Sequence, residues 1–272
     1  MLDTLTFGFL GGGNMASALI GGLVARGVPA SSIRVVDLSE DARQRLAQSG
    51  VHALAAPDAA FGASDVIVLA VKPQQFREAL ASLAPLLADN LIISVAAGIR
   101  LQDMSRWTGR TRLVRAMPNT PALAGMGMTG LAAAPELSET DRDVATAVAE
   151  AVGKCVWVDN DDQIDAVTAV SGSGPAYVFY FVEAMERAAT EMGLSAEQGR
   201  KLAVETFRGA AALAAESSEP VSVLRERVTS KGGTTYAALT AMDAGGIKDA
   251  FVKAMHAAAA RGSEMGAEFG KD

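Results

Sequence analysis

One short segment near the N-terminus restricts the possible folds more than any other part of the sequence. An apolar run at Phe7–Leu10 leads into a glycine turn, Gly-x-Gly-x-x-Ala from Gly11 to Ala16, and a helical pattern follows it. A second apolar run then ends in Asp37. This spacing is that of a βαβ unit that binds the pyrophosphate of a dinucleotide. The segment therefore predicts a parallel α/β sheet with a dinucleotide site, in preference to a purely structural glycine turn.

The residues of the glycine turn have separate expected roles. Gly11 permits the tight turn, and Gly13 lets the backbone approach the pyrophosphate. Asn14 and Met15 open the following helix, whose first N–H groups and positive dipole end favour an anion. We therefore expect Gly11, Gly13, Asn14 and Met15 to bind the cofactor.

Asp37 bears on the choice of cofactor. An acidic residue after the second strand usually accepts a hydrogen bond from a ribose hydroxyl, which favours NADH. Ser39 and Arg43 follow closely and would suit the 2′-phosphate of NADPH if Asp37 turned outward. The sequence leaves both cofactors open, with Asp37 and Ser39 as expected binding residues.

Other loops at the carboxyl ends of the strands are further cofactor candidates, because ligands of open α/β sheets bind there. Lys72 can contact a phosphate or ribose of the cofactor, or it is a solvated lysine at the end of a strand. The Ala97-Gly98 pair leaves a side-chain gap in which a nicotinamide ring could lie. Asn119, between two prolines, has an amide that can orient a ligand, or it belongs to a simple turn. The expected cofactor contacts in these loops are Ala70, Val71, Lys72, Pro73, Ala97, Gly98 and Asn119.

The pattern of the chain changes near residue 160. Before it, apolar runs alternate with helical patterns, and the predicted strands are Phe7–Leu10, Ile33–Val36, Val66–Val71, Leu91–Val95 and Leu113–Ala116. After it, alanine-rich helical segments continue to the C-terminus. We predict an α/β Rossmann-type domain with a parallel-rich sheet at 1–160, followed by an all-α substrate-binding and dimerisation domain at 161–272.

The most apolar helix of the second region is predicted at Pro175–Met192. Its apolar positions nearly encircle it, apart from a stripe of charged residues. Those charges argue against a membrane span. So much apolar surface predicts a subunit interface, with a helix at the centre of a monomeric bundle as the alternative.

A segment rich in hydroxyls and glycines precedes another helix. Ser230, Gly232, Gly233, Thr234 and Thr235 combine flexible backbone N–H groups, hydroxyl donors and a helix N-terminus. Such a combination can hold a carboxylate without a charged side chain. We expect these residues to bind substrate; the alternative is a helix cap formed by one of the threonines.

Composition excludes several classes of function. A net charge of −7 gives no electrostatic footprint for nucleic acid or an anionic membrane. The N-terminal residues show no secretion signal, so we expect a cytoplasmic location.

Neither histidine, His52 or His256, lies in a candidate loop, which argues against a histidine general acid. The acidic segment Asp159–Asp162 is interpreted as solvated rather than as a metal site. Cys155 is expected in a buried strand, and no metal is expected.

The blocks of sequence, taken in order, resemble those of the pyrroline-5-carboxylate reductase family. The resemblance runs the full length of the chain and is most specific at Val228–Thr235. Lys231 stands where the family often has proline, which affects only local stiffness of the loop. The matching blocks are Gly8–Met15, Ala70–Pro73, Met117–Pro121, Ser171–Tyr177 and Val228–Thr235.

The resemblance implies an activity and an assembly. It implies NAD(P)H-dependent reduction of 1-pyrroline-5-carboxylate to L-proline, the last step of proline biosynthesis, usually with NADPH. It implies a homodimer, often assembled further, whose helical domains interlock. Ser230, Gly233, Thr234 and Thr235 would bind the substrate carboxylate, and the Thr235 hydroxyl would lie near the ring nitrogen as the catalytic group. A cyclic imine that arrives protonated needs no general acid, so positioning would carry most of the catalysis.

Two other functions remain open from the sequence. A β-hydroxyacid-type dehydrogenase also joins a Rossmann domain to helices, but Lys201 and Lys231 lack that family's surrounding asparagine pattern. A non-catalytic nucleotide-sensing protein would keep the glycine turn but would need no hydroxyl-rich segment.

Overall fold

The structure is a computed structural model that describes residues 2–271. Within these residues the strands are β1 (Phe7–Leu10), β2 (Ile33–Val36), β3 (His52–Leu54), β4 (Val66–Leu69), β5 (Leu91–Ser94), β6 (Leu113–Met117), β7 (Gly127–Ala133) and β8 (Gly153–Trp157). The α-helices are α1 (Asn14–Ala25), α2 (Glu40–Ala47), α3 (Ala59–Gly62), α4 (Phe76–Leu83), α5 (Leu101–Thr108), α6 (Glu139–Glu150), α7 (Asp161–Val167), α8 (Gly174–Glu191), α9 (Ala196–Glu216), α10 (Val221–Arg227), α11 (Thr234–Ala244) and α12 (Ile247–Phe269).

One sheet contains all of these strands, in the order β3-β2-β1-β4-β5-β6-β7-β8. The strands from β3 to β6 are parallel, and Gly8 of β1 lies between Arg34 of β2 and Ile67 of β4. β7 runs antiparallel to β6, and β8 is parallel to β7. The chain order reverses between β1 and β4, which is where an open α/β sheet binds its ligand. The predicted Rossmann-type, parallel-rich fold is confirmed.

The central strands are buried on both faces. Every residue of β1, β4 and β5 is buried, and helices pack on each side of the sheet. Leu23 of α1 and Val148 of α6 belong to the core on one face, while Phe76 and Leu80 of α4 belong to the core on the other. Continuous apolar strands are typical of parallel sheets covered on both faces.

The edge beyond β6 differs from the sequence-based expectation. β7 was not among the predicted strands, because its glycines and alanines lack the β-branched pattern of a strand. Cys155 lies in β8 as a strand residue, but β8 is the edge strand and the Cys155 side chain is only half-buried. Partial burial still raises the pKa of the Cys155 thiol, which favours an inert thiol at neutral pH.

The chain divides into two compact units by its internal contacts. Unit 1 contains the described residues up to Ser173 and those from Ala258 onward, and unit 2 contains Gly174–Ala257. The last turns of α12 thus belong to the unit that carries the sheet. The sequence boundary at 160/161 stays a prediction, and the contacts place the change of unit at the start of α8.

Unit 2 is helical. α8 packs against α9, which begins with a capping box formed by Ser195 and Gln198. The rings of Tyr177 and Phe181 on α8 pack against Phe251 of α12, with ring centroids 5.6 and 5.7 Å apart. The Phe181 side chain therefore packs within unit 2.

The same unit exposes other large apolar side chains. Phe179 and Tyr180 of α8 are 62% and 71% exposed, and Leu202 and Leu213 of α9 are also exposed. Among residues 2–271, no helix combines the length and the apolar character that crossing a membrane requires. The exposed apolar residues on α8 and α9 therefore lie on two helices that pack against each other.

Candidate functional site

The turn between β1 and α1 requires glycine at its first position. Gly11 has a φ of +99°, and its N–H donates to the carbonyl of Val36 at 2.7 Å. A Cβ added at Gly11 would lie 2.7 Å from the carbonyl oxygen of Ala70. Gly11 therefore lets the turn pass close to the end of β4.

The third glycine leaves open space. Gly13 is the N-cap of α1 without a side-chain cap bond, and an added Cβ would meet nothing within 4 Å. Gly13 and Asn14 are exposed, and Met15 is half-buried. The first N–H groups of α1 thus face an open surface at a helix N-terminus, which suits a phosphate group.

Asp37 is tied to this turn. Its Oδ2 accepts a hydrogen bond from the N–H of Gly12 at 2.7 Å, and its Oδ1 accepts one from the N–H of Ser39 at 2.8 Å. The Ser39 hydroxyl caps α2. Arg43 Nη1 donates to the carbonyls of Asp37 and Leu38, at 2.9 Å each. The Asp37 carboxylate therefore points towards the glycine turn, and Arg43 stabilises the loop that follows β2.

A cavity of about 650 Å³ lies beside the carboxyl ends of β1, β2 and β4. The structure brings together four of the predicted cofactor residues there, namely Gly11, Asp37, Ser39 and Val71. Lys72 lies outside the residues that line this cavity; it is exposed and precedes the single helical turn that starts at Pro73. The volume and position of the cavity suit the adenosine part of a dinucleotide.

The loop after β5 packs against the last helix. Gly98 has a φ of +74°, and an added Cβ would lie 3.0 Å from Met265 Cβ and 3.1 Å from Phe269 Cδ2. The side of Gly98 on which a Cβ would stand is therefore covered by α12, and the cofactor role expected for this loop stays a prediction. Ala97, next to it, is half-buried.

The Asn119 amide is engaged within unit 1. Its Nδ2 donates to the carbonyl and the hydroxyl of Ser171, both at 3.2 Å, and its Oδ1 accepts from the N–H of Met128 at 2.9 Å. Ser171 belongs to a π-helical turn, Thr168–Gly172, which directly precedes α8. Asn119 thus joins the loop after β6 to that turn, and π-helical turns are frequent at functional sites.

The hydroxyl-rich segment in unit 2 opens α11. Gly233 is the N-cap of α11 and has no side-chain cap bond, so neither Thr234 nor Thr235 caps this helix as the simpler interpretation supposed. The Gly233 N–H donates to the Ser230 carbonyl at 3.0 Å, and a Cβ at Gly233 would meet Ser230 Oγ at 2.5 Å. Gly232 has a φ of +76°. The glycines make a tight turn that leaves the first N–H groups of α11 without a side-chain acceptor.

A buried ion cluster was missed by the sequence analysis. Arg115 of β6 is 1% exposed and donates to Asp161 and Asp165, each at 2.8 Å. Arg100 lies 3.5 Å from the other oxygen of Asp165. The interpretation of Asp161 as solvated was wrong, because its carboxylate neutralises Arg115. An arginine within an otherwise apolar strand was the available signal.

No metal site is apparent in the part of the chain that the structure describes. Within residues 2–271, no group of three or more His, Cys, Asp or Glu side chains is placed to hold a metal ion.

Sequence comparisons identify relatives along the whole chain. Residues 161–265 match the family described as pyrroline-5-carboxylate reductase dimerisation, and residues 6–98 match the family described as NADP oxidoreductase coenzyme F420-dependent. A pyrroline-5-carboxylate reductase of Pseudomonas aeruginosa is 42% identical over 99% of this chain and 100% of its own length. One of Pisum sativum is 37% identical over 97% of each chain.

Solved structures agree with these relatives. A pyrroline-5-carboxylate reductase of Coxiella burnetii is 38% identical, with a TM-score of 0.90 over 97% of this chain and 99% of that one. A pyrroline carboxylate reductase of Plasmodium falciparum, solved with NADP bound, is 27% identical, with a TM-score of 0.87 over 98% of this chain and 100% of that one.

Proposed function

The chain belongs to the pyrroline-5-carboxylate reductase family, and we propose that it reduces 1-pyrroline-5-carboxylate to L-proline with NADPH or NADH. The observation that carries this proposal is the match to such enzymes over 99% of the chain at 42% identity. The chain is accordingly an NAD(P)H-dependent oxidoreductase that acts on a C=N bond. Proline formation by this reaction is the last step of proline biosynthesis.

The residues of unit 1 bind the cofactor in this proposal. The open N-terminus of α1 holds the pyrophosphate, and the cavity lined by Asp37 and Val71 holds the adenosine. When bound, NAD(P)H supplies the hydride. The proposed cofactor-binding residues are Gly11, Gly13, Asn14, Met15, Asp37, Ser39, Ala70, Val71, Lys72, Pro73, Ala97, Gly98 and Asn119.

The hydroxyl-rich turn of unit 2 binds the substrate carboxylate in this proposal. Ser230, Gly232, Gly233, Thr234 and Thr235 supply hydroxyls and backbone N–H groups at the N-terminus of α11. An anion there gains from the helix dipole as well as from these donors. Thr235, which is half-buried, is the proposed catalytic residue, and its hydroxyl would lie beside the ring nitrogen of the substrate.

The proton balance needs no histidine. Hydride adds to the imine carbon, and the ring nitrogen of a protonated imine already carries the proton that the product amine keeps. The protein's contribution is then to orient two reactants and to hold the carboxylate, which can account for much of a rate enhancement.

Unit 2 is also the proposed dimer interface. Its exposed Phe179, Tyr180, Leu202 and Leu213 lie in the region that matches the dimerisation family. Large exposed apolar side chains on neighbouring helices commonly mark an interface. We propose a homodimer formed through this unit, with further assembly of dimers as the finer expectation.

A direct assay tests the reaction. Purified protein is mixed with NADH or NADPH and 1-pyrroline-5-carboxylate, and the loss of cofactor absorbance and the appearance of proline are followed. The same protein is assayed with NAD⁺ and a β-hydroxy acid, which tests the dehydrogenase alternative. Imine reduction without oxidation of the hydroxy acid is expected, and the opposite pattern would overturn the proposed function.

A further inference from the structure

The cavity at the end of β2 bears on which nicotinamide cofactor the chain selects. NADPH differs from NADH by a phosphate on the 2′-hydroxyl of the adenosine ribose, so the discrimination depends on charges near that hydroxyl. The inference rests on the proposed function, because it assumes that this cavity holds the adenosine.

The Asp37 carboxylate is fixed inside this cavity. Both of its oxygens accept backbone N–H groups, from Gly12 at 2.7 Å and from Ser39 at 2.8 Å. Turning the side chain outward would break both bonds and leave the Gly12 amide without its acceptor. The outward rotation that would make room for a 2′-phosphate is therefore disfavoured by the structure.

The charges around the cavity also oppose a phosphate. Asp37 and Glu78 both line it, and none of its described lining residues is a lysine or arginine. Arg43 lies outside the lining, and its Nη1 already donates to two carbonyls. Arg45 also lies outside it, with Nη2 at 3.4 Å from the Gly12 carbonyl. Recognition of a 2′-phosphate commonly uses an arginine placed against it, and no arginine lines this cavity.

We propose that Asp37, held inward by the amides of Gly12 and Ser39 in a cavity with acidic lining, makes this chain select NADH over NADPH. A ribose 2′-hydroxyl can donate to the carboxylate, whereas a 2′-phosphate at the same place meets a like charge. Like charges a few ångströms apart in a partly enclosed site cost enough to change affinity by at least about tenfold.

The test measures binding without the imine substrate. Dissociation constants for NADH and NADPH are obtained by fluorescence titration of the wild type, and the preference is the ratio of the two. NADH is expected to bind at least about tenfold more tightly. Asp37→Asn should reduce this preference by about tenfold. Because a ratio is compared, any loosening of the glycine turn that weakens both cofactors equally cancels.

A second variant adds the missing cation. Leu38 lines the cavity and is 85% exposed, so Leu38→Arg has little cost to folding. It should tighten NADPH binding by about tenfold and change NADH binding by less than about threefold. The matched control is Asp41→Asn, which removes the same charge from the exposed first turn of α2, outside the cavity lining. Its ratio should stay within about twofold of wild type.

Each outcome separates the two proposals. Wild-type protein that binds NADPH as tightly as NADH, or an equal effect of Asp37→Asn and Asp41→Asn, overturns the selection by Asp37 and leaves the imine reduction standing. Selective NADH binding without reduction of 1-pyrroline-5-carboxylate overturns the proposed reaction and leaves the cofactor selection standing. Binding of neither cofactor overturns both.

Discussion

Substitution of two glycines of the same turn is expected to affect different properties, namely stability at Gly11 and cofactor binding at Gly13. Gly11→Ala places a side chain at a φ of +99°, which costs roughly 1–2 kcal/mol. Its Cβ would lie 2.7 Å from the Ala70 carbonyl oxygen, and the forced shift adds roughly 1–3 kcal/mol. The free energy of unfolding should therefore fall by about 2–5 kcal/mol. At roughly 2 °C or more per kcal/mol, the Tm should fall by at least about 4 °C.

Gly13→Val should spare the fold and remove cofactor binding. Gly13 has an ordinary φ of −72° and open space around its Cβ position, so the change in stability should stay within about 1 kcal/mol. Saturating cofactor, at about a hundred times its Kd, should stabilise the wild type by about 2.7 kcal/mol, or roughly 5–10 °C in Tm. Gly13→Val should lose this shift, because its side chain fills the space proposed for the pyrophosphate.

Thermal unfolding followed by circular dichroism, with and without cofactor, measures both effects. Gly21→Ala on α1 is the matched control, since its Cβ also meets open space; it should keep the full cofactor shift. A Gly13→Val protein with the wild-type cofactor shift would refute the assigned phosphate loop. An unchanged Tm for Gly11→Ala would refute the steric argument.

Three further predictions concern the substrate turn, the interface and an ion pair. Thr235→Ala should lower turnover by about tenfold or more, about 1.4 kcal/mol, with cofactor Kd unchanged, and Thr235→Ser should restore most activity; full turnover in the alanine variant would remove Thr235 from the site. Phe179→Asp should raise the dimer Kd more than about a hundredfold, because it places an unpaired charge in the proposed interface. A Phe179→Asp variant that light scattering finds to be as dimeric as the wild type would contradict this. The hydrogen bond from Arg112, and to a smaller extent that from Ser138, holds the pKa of the Asp141 carboxyl below its usual 3.8. This carboxylate therefore stabilises the fold at neutral pH, and its contribution is lost as pH falls through the lowered pKa. Asp141→Asn should cost about 1–2 kcal/mol in urea unfolding at pH 7, with the difference from wild type shrinking below about pH 4; a difference independent of pH would exclude ionisation as its cause.

The strands that the sequence predicted well are those that the sheet buries on both faces. β1 has the predicted bounds, and β4 and β5 begin at the predicted residues, because an uninterrupted apolar run has few alternative structures. β2 also has the predicted bounds, although its Arg34 is only half-buried. β7 escaped prediction because Gly127 and Gly130 replace the side chains that mark a strand. Close packing requires glycine at both positions, since a Cβ at Gly127 would lie 2.9 Å from the Val152 carbonyl oxygen and one at Gly130 would lie 2.6 Å from the Val167 side chain.

Side-chain partners far apart in the sequence were harder to predict than the elements themselves. The sequence identified Asp37 as a cofactor residue, but only the structure shows that both of its oxygens are held by backbone amides. The pairing of Arg115 with Asp161 and Asp165 joins β6 to α7, and no local pattern specifies it. The roles assigned to Thr235 and the other site residues stay predictions.

The return of the last helix to unit 1 has a consequence for how the protein is synthesised. Arg106 of α5 donates to the carbonyl of Gly270, a residue 164 positions later in the chain. Translation at roughly 5–20 residues per second means that this partner emerges from the ribosome about 8–30 s after α5 does. During that interval the surface around Gly98, which Met265 and Phe269 later cover, is open to water and to chaperones. The nucleotide-binding unit begins to form first and is completed last.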